Sequence, residues 1–336
     1  MNQERKTETR LQTRQEREAF ILRRQCGQSL NEFERFPQYV NIETTNTCNA
    51  RCIMCGIDFD ERPLVHLDDE IFEKILKELS HWTAHIRKAN LFSDNEPLLD
   101  RKLGSKIKAL KEIGIQTVAI STNASALTAK RSQELLDAGL DEIYINIDSL
   151  VPEIYEDIRV GLKFEKVYAN TLKFIELRDV SNAHTVVRVQ MVLQKLNEAE
   201  SDHFAQHWTP ILSAGDHIVV HRAHNWGGTV ETLAQDGDDD INSYPCTSLW
   251  SNVMIHADGL VALCSVDTKQ NSPFTLGDMR FQTIEEIWTG DDIRMMRKRH
   301  LSNERTGHPL CDGCTTWREC KSDIHTVVGP HDKDTE

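Results

Sequence analysis

An α/β fold built on a mostly parallel sheet is predicted for this 336-residue chain by three features of its sequence. From Tyr39 onward, short β-branched runs alternate with longer amphipathic segments, as parallel strands alternate with crossover helices. Six strand-like runs are present: YVNIETT from Tyr39, IRKANLFS from Ile86, QTVAIST from Gln116, EIYINID from Glu142, TVVRVQMVL from Thr185 and HIVVHRA from His217. The helical patterns between them begin at Asp68, Arg101, Thr128, Phe164 and Glu198, several opened by Asp, Thr or Asn and some closed by Gly. Six β/α units predict an incomplete barrel rather than a full eight, although a doubly wound open sheet has the same one-dimensional pattern.

The grammar changes after Ala223. NWGGTVETLAQDGDDDINSYP is polar and turn-rich, and the chain beyond it has few strands, many turns and most of the cysteines. The predicted organisation is a charged helical segment over 1–36, the barrel over 37–228, a linker over 229–245, a cysteine-rich domain over 246–324 and a tail over 325–336. The first segment reads as a solvated helix flanking the barrel, and the Asp238–Asp240 run as a solvated turn, because it lacks calcium-loop spacing.

A net charge of −14 argues against a general nucleic-acid binder, whose affinity comes from Lys and Arg displacing counterions. No apolar run approaches the roughly 20 residues that cross a bilayer, and the N-terminus is charged rather than signal-like. A soluble, cytoplasmic protein with no membrane or nucleic-acid partner is expected. Nine cysteines, an odd number without a secretion signal, favour metal-binding thiolates over disulfides. Nucleophile elbows, phosphate-cradling glycine loops and zinc-protease helices are missing from the sequence.

Cys48, Cys52 and Cys55 form C-x₃-C-x₂-C directly after the first strand, at the end where β/α barrels build their active sites. A structural tetrahedral site needs four protein ligands, and no Cys or His follows within ten residues. Iron–sulfur clusters are usually held by four thiolates, so three leave one iron open. The second set is Cys246, Cys264, Cys311, Cys314 and Cys320; a C-x₂-C pair with two distant cysteines is by itself compatible with structural zinc.

From about Tyr39 to Ile324 the chain resembles the radical S-adenosylmethionine (SAM) superfamily, with a C-terminal twitch or truncated-SPASM extension. The resemblance implies a partial (β/α)₆ barrel, a [4Fe–4S] cluster on Cys48, Cys52 and Cys55, and SAM as the ligand of the open iron. It implies an auxiliary [4Fe–4S] cluster on Cys246, Cys264, Cys311 and Cys314. Cys320 is left over as a buried thiol, a substitute ligand or a hydrogen-atom donor. It further implies SAM contacts from Met54, where the family often has an aromatic residue, from Glu96 in SDNEP, from Ser121 and Asn123, from Asn146 and from Arg159. Asp94 and Asn95 replace the family's two glycines before that glutamate, and with Arg222, His224 and Trp226 they are candidate substrate contacts. The implied activity is hydrogen-atom abstraction by a 5′-deoxyadenosyl radical, with a flavodoxin or ferredoxin as reductant. The expected outcome is oxidation of a sugar, polyol or aminocyclitol; epimerisation, peptide maturation and a non-catalytic zinc scaffold are the alternatives.

Overall fold

The computed structural model describes residues 10–57, 63–226, 241–269 and 272–316. Strands β1 (Tyr39–Ile42), β2 (Arg51–Cys52), β3 (Lys88–Asn90), β4 (Val118–Thr122), β5 (Glu142–Asn146), β6 (Arg159–Val160), β7 (Val186–Leu193) and β8 (His217–Arg222) are followed by β9 (Asn252–Ile255), β10 (Leu260–Ala262) and β11 (Gly277–Asp278). Helices α1 (Arg14–Gln25) and α2 (Leu30–Arg35) precede the sheet. Helices α3 (Asp69–Leu79), α4 (Leu103–Glu112), α5 (Ala129–Asp137), α6 (Pro152–Ile158), α7 (Phe164–Val180) and α8 (Ser201–Trp208) cross between barrel strands, and α9 (Ile284–Trp288) and α10 (Asp291–Leu301) lie in the C-terminal part.

The main sheet runs β11-β10-β9-β1-β3-β4-β5-β7-β8. The six predicted strands therefore stand in chain order and are parallel throughout. A doubly wound sheet reverses its order at a switch point, whereas this one never does, so it is a singly wound, open barrel. Along β7 the alternation separates two faces. Val187, Val189 and Met191 are fully buried among core residues that include Phe174, Phe204 and Trp208, while Arg188 and Gln190 are half-buried on the other face.

The C-terminal part is not a separate layer. Strand β9 lies parallel to β1, pairing Tyr39 with Asn252 and Ile42 with Ile255, and the β9–β10 hairpin extends the barrel sheet beyond its first strand. Sequence periodicity missed this because β9 is four residues long and its partner lies some two hundred positions away. The charged N-terminal segment also differs from a solvated flank. Arg17 is buried and donates to the carbonyls of Ser243 and Leu301, and Ile21 and Phe33 share a core with Trp250, Leu263 and Ile293. Its few apolar positions form one stripe that covers the extension. No helix among the described residues is long and apolar enough to cross a membrane.

Because β9 completes the barrel core, Val253→Asp places a carboxylate in the shared interior. It should destabilise the whole protein by about 4 kcal/mol, seen as one lowered thermal transition. Two independently folding units would leave the barrel transition in place.

Candidate functional site

The Cys48–Cys55 loop leaves β1 and is pinned at several points. Its β2 segment pairs antiparallel with β6, setting Cys52 opposite Arg159. Gly161, at φ +94°, turns the chain out of that pairing beside the Asn49 carbonyl, a conformation that favours glycine. Cys55 N donates to the Cys52 carbonyl at 3.0 Å, which closes a turn around the second and third thiols. Burial pushes the Cys48 thiol up to about 11, with Glu96 and Cys52 adding to the rise. Burial likewise pushes Cys55 up to about 12, with the fields of Cys52, Asp94 and Cys48 adding to it. The three sulfurs are thus close enough to feel one another, and the loop can hold a cluster that replaces their protons with metal.

Arg159 is buried and paired through Nε with Asp148, and its Nη1 donates to Cys52 Sγ at 3.5 Å. Burial is the largest single influence and opposes its charge, but the Asp148 carboxylate, with Cys52 and Tyr155 adding to it, outweighs burial and keeps the guanidinium protonated. Asp148 Oδ1 accepts from Val192 N at 2.7 Å, tying the pair to the end of β7. Asp148 stands inside the INIDS segment, yet nothing in the sequence marked it as the partner of Arg159, eleven positions away on the far side of α6.

Glu96 is 1 % exposed. Its Oε1 accepts from Thr122 Oγ1 at 2.7 Å and Leu98 N at 3.1 Å, and its Oε2 accepts from Asn123 N at 2.7 Å. Burial pushes its pKa up while these three donors act the other way. Asn123 Nδ2 donates to Asn49 Oδ1 at 3.0 Å, bringing the end of β4 to the cysteine loop. Asn146 Nδ2 donates to Ser121 Oγ at 3.1 Å and to the Thr122 carbonyl, and Gln190 donates to Asn146 Oδ1. Glu96, Ser121, Asn123 and Asn146 therefore form one connected polar rim, with Met54 half-buried in the loop beside it.

Asp94 is 3 % exposed and lies with Glu43, at the end of β1, and His256, at the end of β9. His256 Nδ1 is 3.5 Å from Glu43 Oε2 and 4.0 Å from Asp94 Oδ2. Glu43 and His256 were not legible as site residues, since they meet only through the β1–β9 pairing. Asn95 turns back, its Oδ1 accepting from Ser93 N. Arg222 ends β8, and its side chain lies outside the described residues. Trp226 Nε1 donates to the Met54 carbonyl at 2.8 Å, and its ring packs where a Cβ on Gly56 would come within 2.8 Å. His224 lies against that ring, centroids 4.5 Å apart, and burial pushes its pKa down to about 4, so it is neutral. Between them, Asn225 Nδ2 donates to the Gly313 carbonyl at 3.0 Å, joining the barrel's last strand to the second cysteine set. Thr268 Oγ1 donates to the Gly56 carbonyl at 3.1 Å, a further link from the extension to the first loop.

Cys246, Cys264, Cys311 and Cys314 line one cavity with His300, Arg305, Leu249, Leu263 and Val266. Burial pushes Cys311 up to about 12 and Cys264 well above the ordinary thiol range, and neighbouring sulfurs reinforce both rises. Arg305, 1 % exposed, sends Nη2 to the carbonyls of Cys311 and Cys314, both at 2.9 Å, and so shapes the C-x₂-C turn. Four thiols facing one largely apolar cavity fit an auxiliary cluster. Cys320 lies outside the described residues, as do residues 229–240 of the expected linker. Cys26 is exposed and caps α1 in a left-handed conformation.

A model of the radical SAM superfamily matches residues 42–205, and a model of an iron-sulfur cluster-binding domain, SPASM, matches residues 246–315. The GTP 3′,8-cyclase of Limosilactobacillus fermentum is 34 % identical over 142 residues, covering 41 % of this chain and 41 % of that protein. The match thus spans about two-fifths of the relative's length. Among solved structures, BtrN in complex with AdoMet and 2-DOIA has a TM-score of 0.56 at 19 % identity, covering 83 % of this chain and 93 % of that one. Streptococcus suis SuiB bound to precursor peptide SuiA has a TM-score of 0.65 at 13 % identity, covering 80 % and 69 %. These likenesses show the fold. The expected oxidation of a sugar, polyol or aminocyclitol does not stand, because the curated relatives are cyclases named for GTP. Carbohydrate substrate and dehydrogenase outcome fall with it; the radical SAM chemistry stays.

Asp148→Ala leaves the Arg159 charge buried beside Cys52 without its counter-ion. The expected cost is about 3–5 kcal/mol, measured as loss of chemical-denaturation stability, with weaker iron retention by the first loop than by the second.

Proposed function

The chain belongs to the radical SAM superfamily, and from that premise we propose that it removes a hydrogen atom from the ribose of a guanine nucleotide. When bound, the [4Fe–4S] cluster and SAM supply a 5′-deoxyadenosyl radical by reductive cleavage of the sulfonium. Cys48, Cys52 and Cys55 would hold that cluster, one thiolate short of the usual four, which leaves a place for SAM. Glu96, Asn123, Ser121 and Asn146 would offer SAM a polar rim, Met54 an apolar surface for its adenine, and Arg159 would steady the Cys52 corner. Cys246, Cys264, Cys311 and Cys314 would hold the auxiliary cluster.

The observation that carries the reading is the seating of a three-thiol loop at the barrel mouth, clamped from the barrel by Arg159 and from the extension by Thr268. The clamp orients the reacting centre and keeps bulk water from it. The nucleotide class rests on the curated relatives, whose name states that positions 3′ and 8 of GTP are joined. It is supported by the chemistry of the mouth. Glu43 and Asp94 are buried carboxylates beside His256, and a carboxylate accepts the paired N–H donors of the guanine edge.

Anaerobically reconstituted protein incubated with dithionite, SAM and GTP deuterated at C3′ should yield 5′-deoxyadenosine carrying the label, detected by mass spectrometry. Replacing Cys48, Cys52 and Cys55 together by Ala should abolish cleavage while the second iron set persists. Unlabelled 5′-deoxyadenosine formed at a rate indifferent to GTP refutes the nucleotide assignment. Asp94→Asn should raise KM for GTP about tenfold or more, the loss of one hydrogen bond to a charged group, with unchanged iron content.

A further inference from the structure

We propose that His300 donates a hydrogen bond to the auxiliary cluster and raises its reduction potential, an inference resting on the assignment of that cluster to Cys246, Cys264, Cys311 and Cys314. His300 is on α10, 1 % exposed, and its ring lines the cavity that the four thiols share. Its Nδ1 accepts from the backbone N–H of Cys246 at 3.0 Å. An accepting ring nitrogen carries no proton, so the imidazole is neutral with its proton on Nε2. That Nε2 is completely buried and has no hydrogen-bond partner among the described residues.

A buried donor left unmade costs about 1–3 kcal/mol, and native proteins seldom leave one. A water is a poor candidate partner, because it needs several polar neighbours, and although Ser248, Ser265 and Thr316 also border the cavity, the surface exposed in it is mostly apolar, from residues such as Leu249, Leu263, Val266 and Leu310. Arg305, the other strong donor on the wall, directs its Nη groups to the carbonyls of Tyr244, Cys311 and Cys314. The sulfurs of a cluster held by the four thiolates would be electron-rich acceptors inside the cavity that the His300 ring also lines. Reduction adds negative charge to the cluster, so an N–H donor favours the reduced form over the oxidised one and moves the potential upward. The same ring, through Nδ1, holds the backbone of one ligand, Cys246. His300 is thus a positioning and tuning residue rather than a catalytic one.

The test is an EPR-monitored redox titration of the reconstituted full-length protein, comparing native with His300→Leu and His300→Gln. His300→Leu is expected to shift the auxiliary midpoint to more negative potential, with the iron content and the potential of the first cluster unchanged. His300→Gln, which keeps an amide donor, should recover part of the shift. Pulsed EPR of the native reduced protein should show a weak ¹⁴N coupling on the auxiliary signal that His300→Leu removes. A fully loaded His300→Leu protein with an unmoved midpoint overturns the proposal, and so does a coupling strong enough for direct iron–nitrogen ligation. If His300→Leu fails to load, the native spectrum decides, and absence of the ¹⁴N coupling there is fatal. Native protein that holds iron only on the first loop refutes the cluster assignment itself, which iron content reports independently of the potential.

Discussion

Parallel pairing between β1 and β9 is the contact on which the rest of the site depends. It attaches the extension to the first barrel strand rather than beside the barrel, and it aligns the carboxyl ends of both strands. Glu43 and His256 meet at the mouth for that reason, and the chain that leaves the β9–β10 hairpin returns as Thr268 to the Gly56 carbonyl. From the opposite edge, Asn225 and Trp226 extend from β8 to the second and first cysteine loops respectively. The first loop is therefore held from both edges of an open barrel. An open barrel has unpaired edge strands that would otherwise invite association or fraying, and the extension covers one of them.

Buried charge is the second constraint. Carboxylate and guanidinium groups lose hydration when buried around the two cysteine sets, and Arg159, Glu96 and Arg305 are matched by specific partners rather than by solvent. Asp148 answers Arg159, three donors answer Glu96, and backbone carbonyls answer Arg305. Such matching makes the site stiff before any ligand arrives, and stiffness is what a reaction through a free radical requires of its container. The Cys48 and Cys55 thiols are the exception, held protonated by burial, so that cluster assembly is coupled to proton release.

The barrel says less about the substrate than about the chemistry. Structures of similar fold carry 2-DOIA in one case and a precursor peptide in another, whereas the curated relatives are named for GTP. One fold accommodates all of these because function resides in the groups grafted on the scaffold, and binding groups are disproportionately contributed by loops. In this chain the mouth carries Asp94 beside Glu43 and His256 from β9, and on the proposed function this acidic, partly imidazole-lined cluster is where discrimination among substrates resides.

Local sequence by itself determined the six strands, the helices that cross between them and the two cysteine sets, because a period of two or 3.6 residues and a cysteine spacing are properties of neighbours in the chain. The Cys48–Cys55 loop was legible for the same reason, as was the presence of Glu96, Asn123 and Asn146 at strand ends. Only the tertiary structure decided that the sheet is singly wound, that the extension continues it through β9, and that the N-terminal helix covers the extension's core. It alone paired Arg159 with Asp148, gathered Glu43 with Asp94 and His256, and placed His300 among four thiols. Each of those depends on side chains that approach across long sequence separations, where burial and charge matching, rather than periodicity, select the partner.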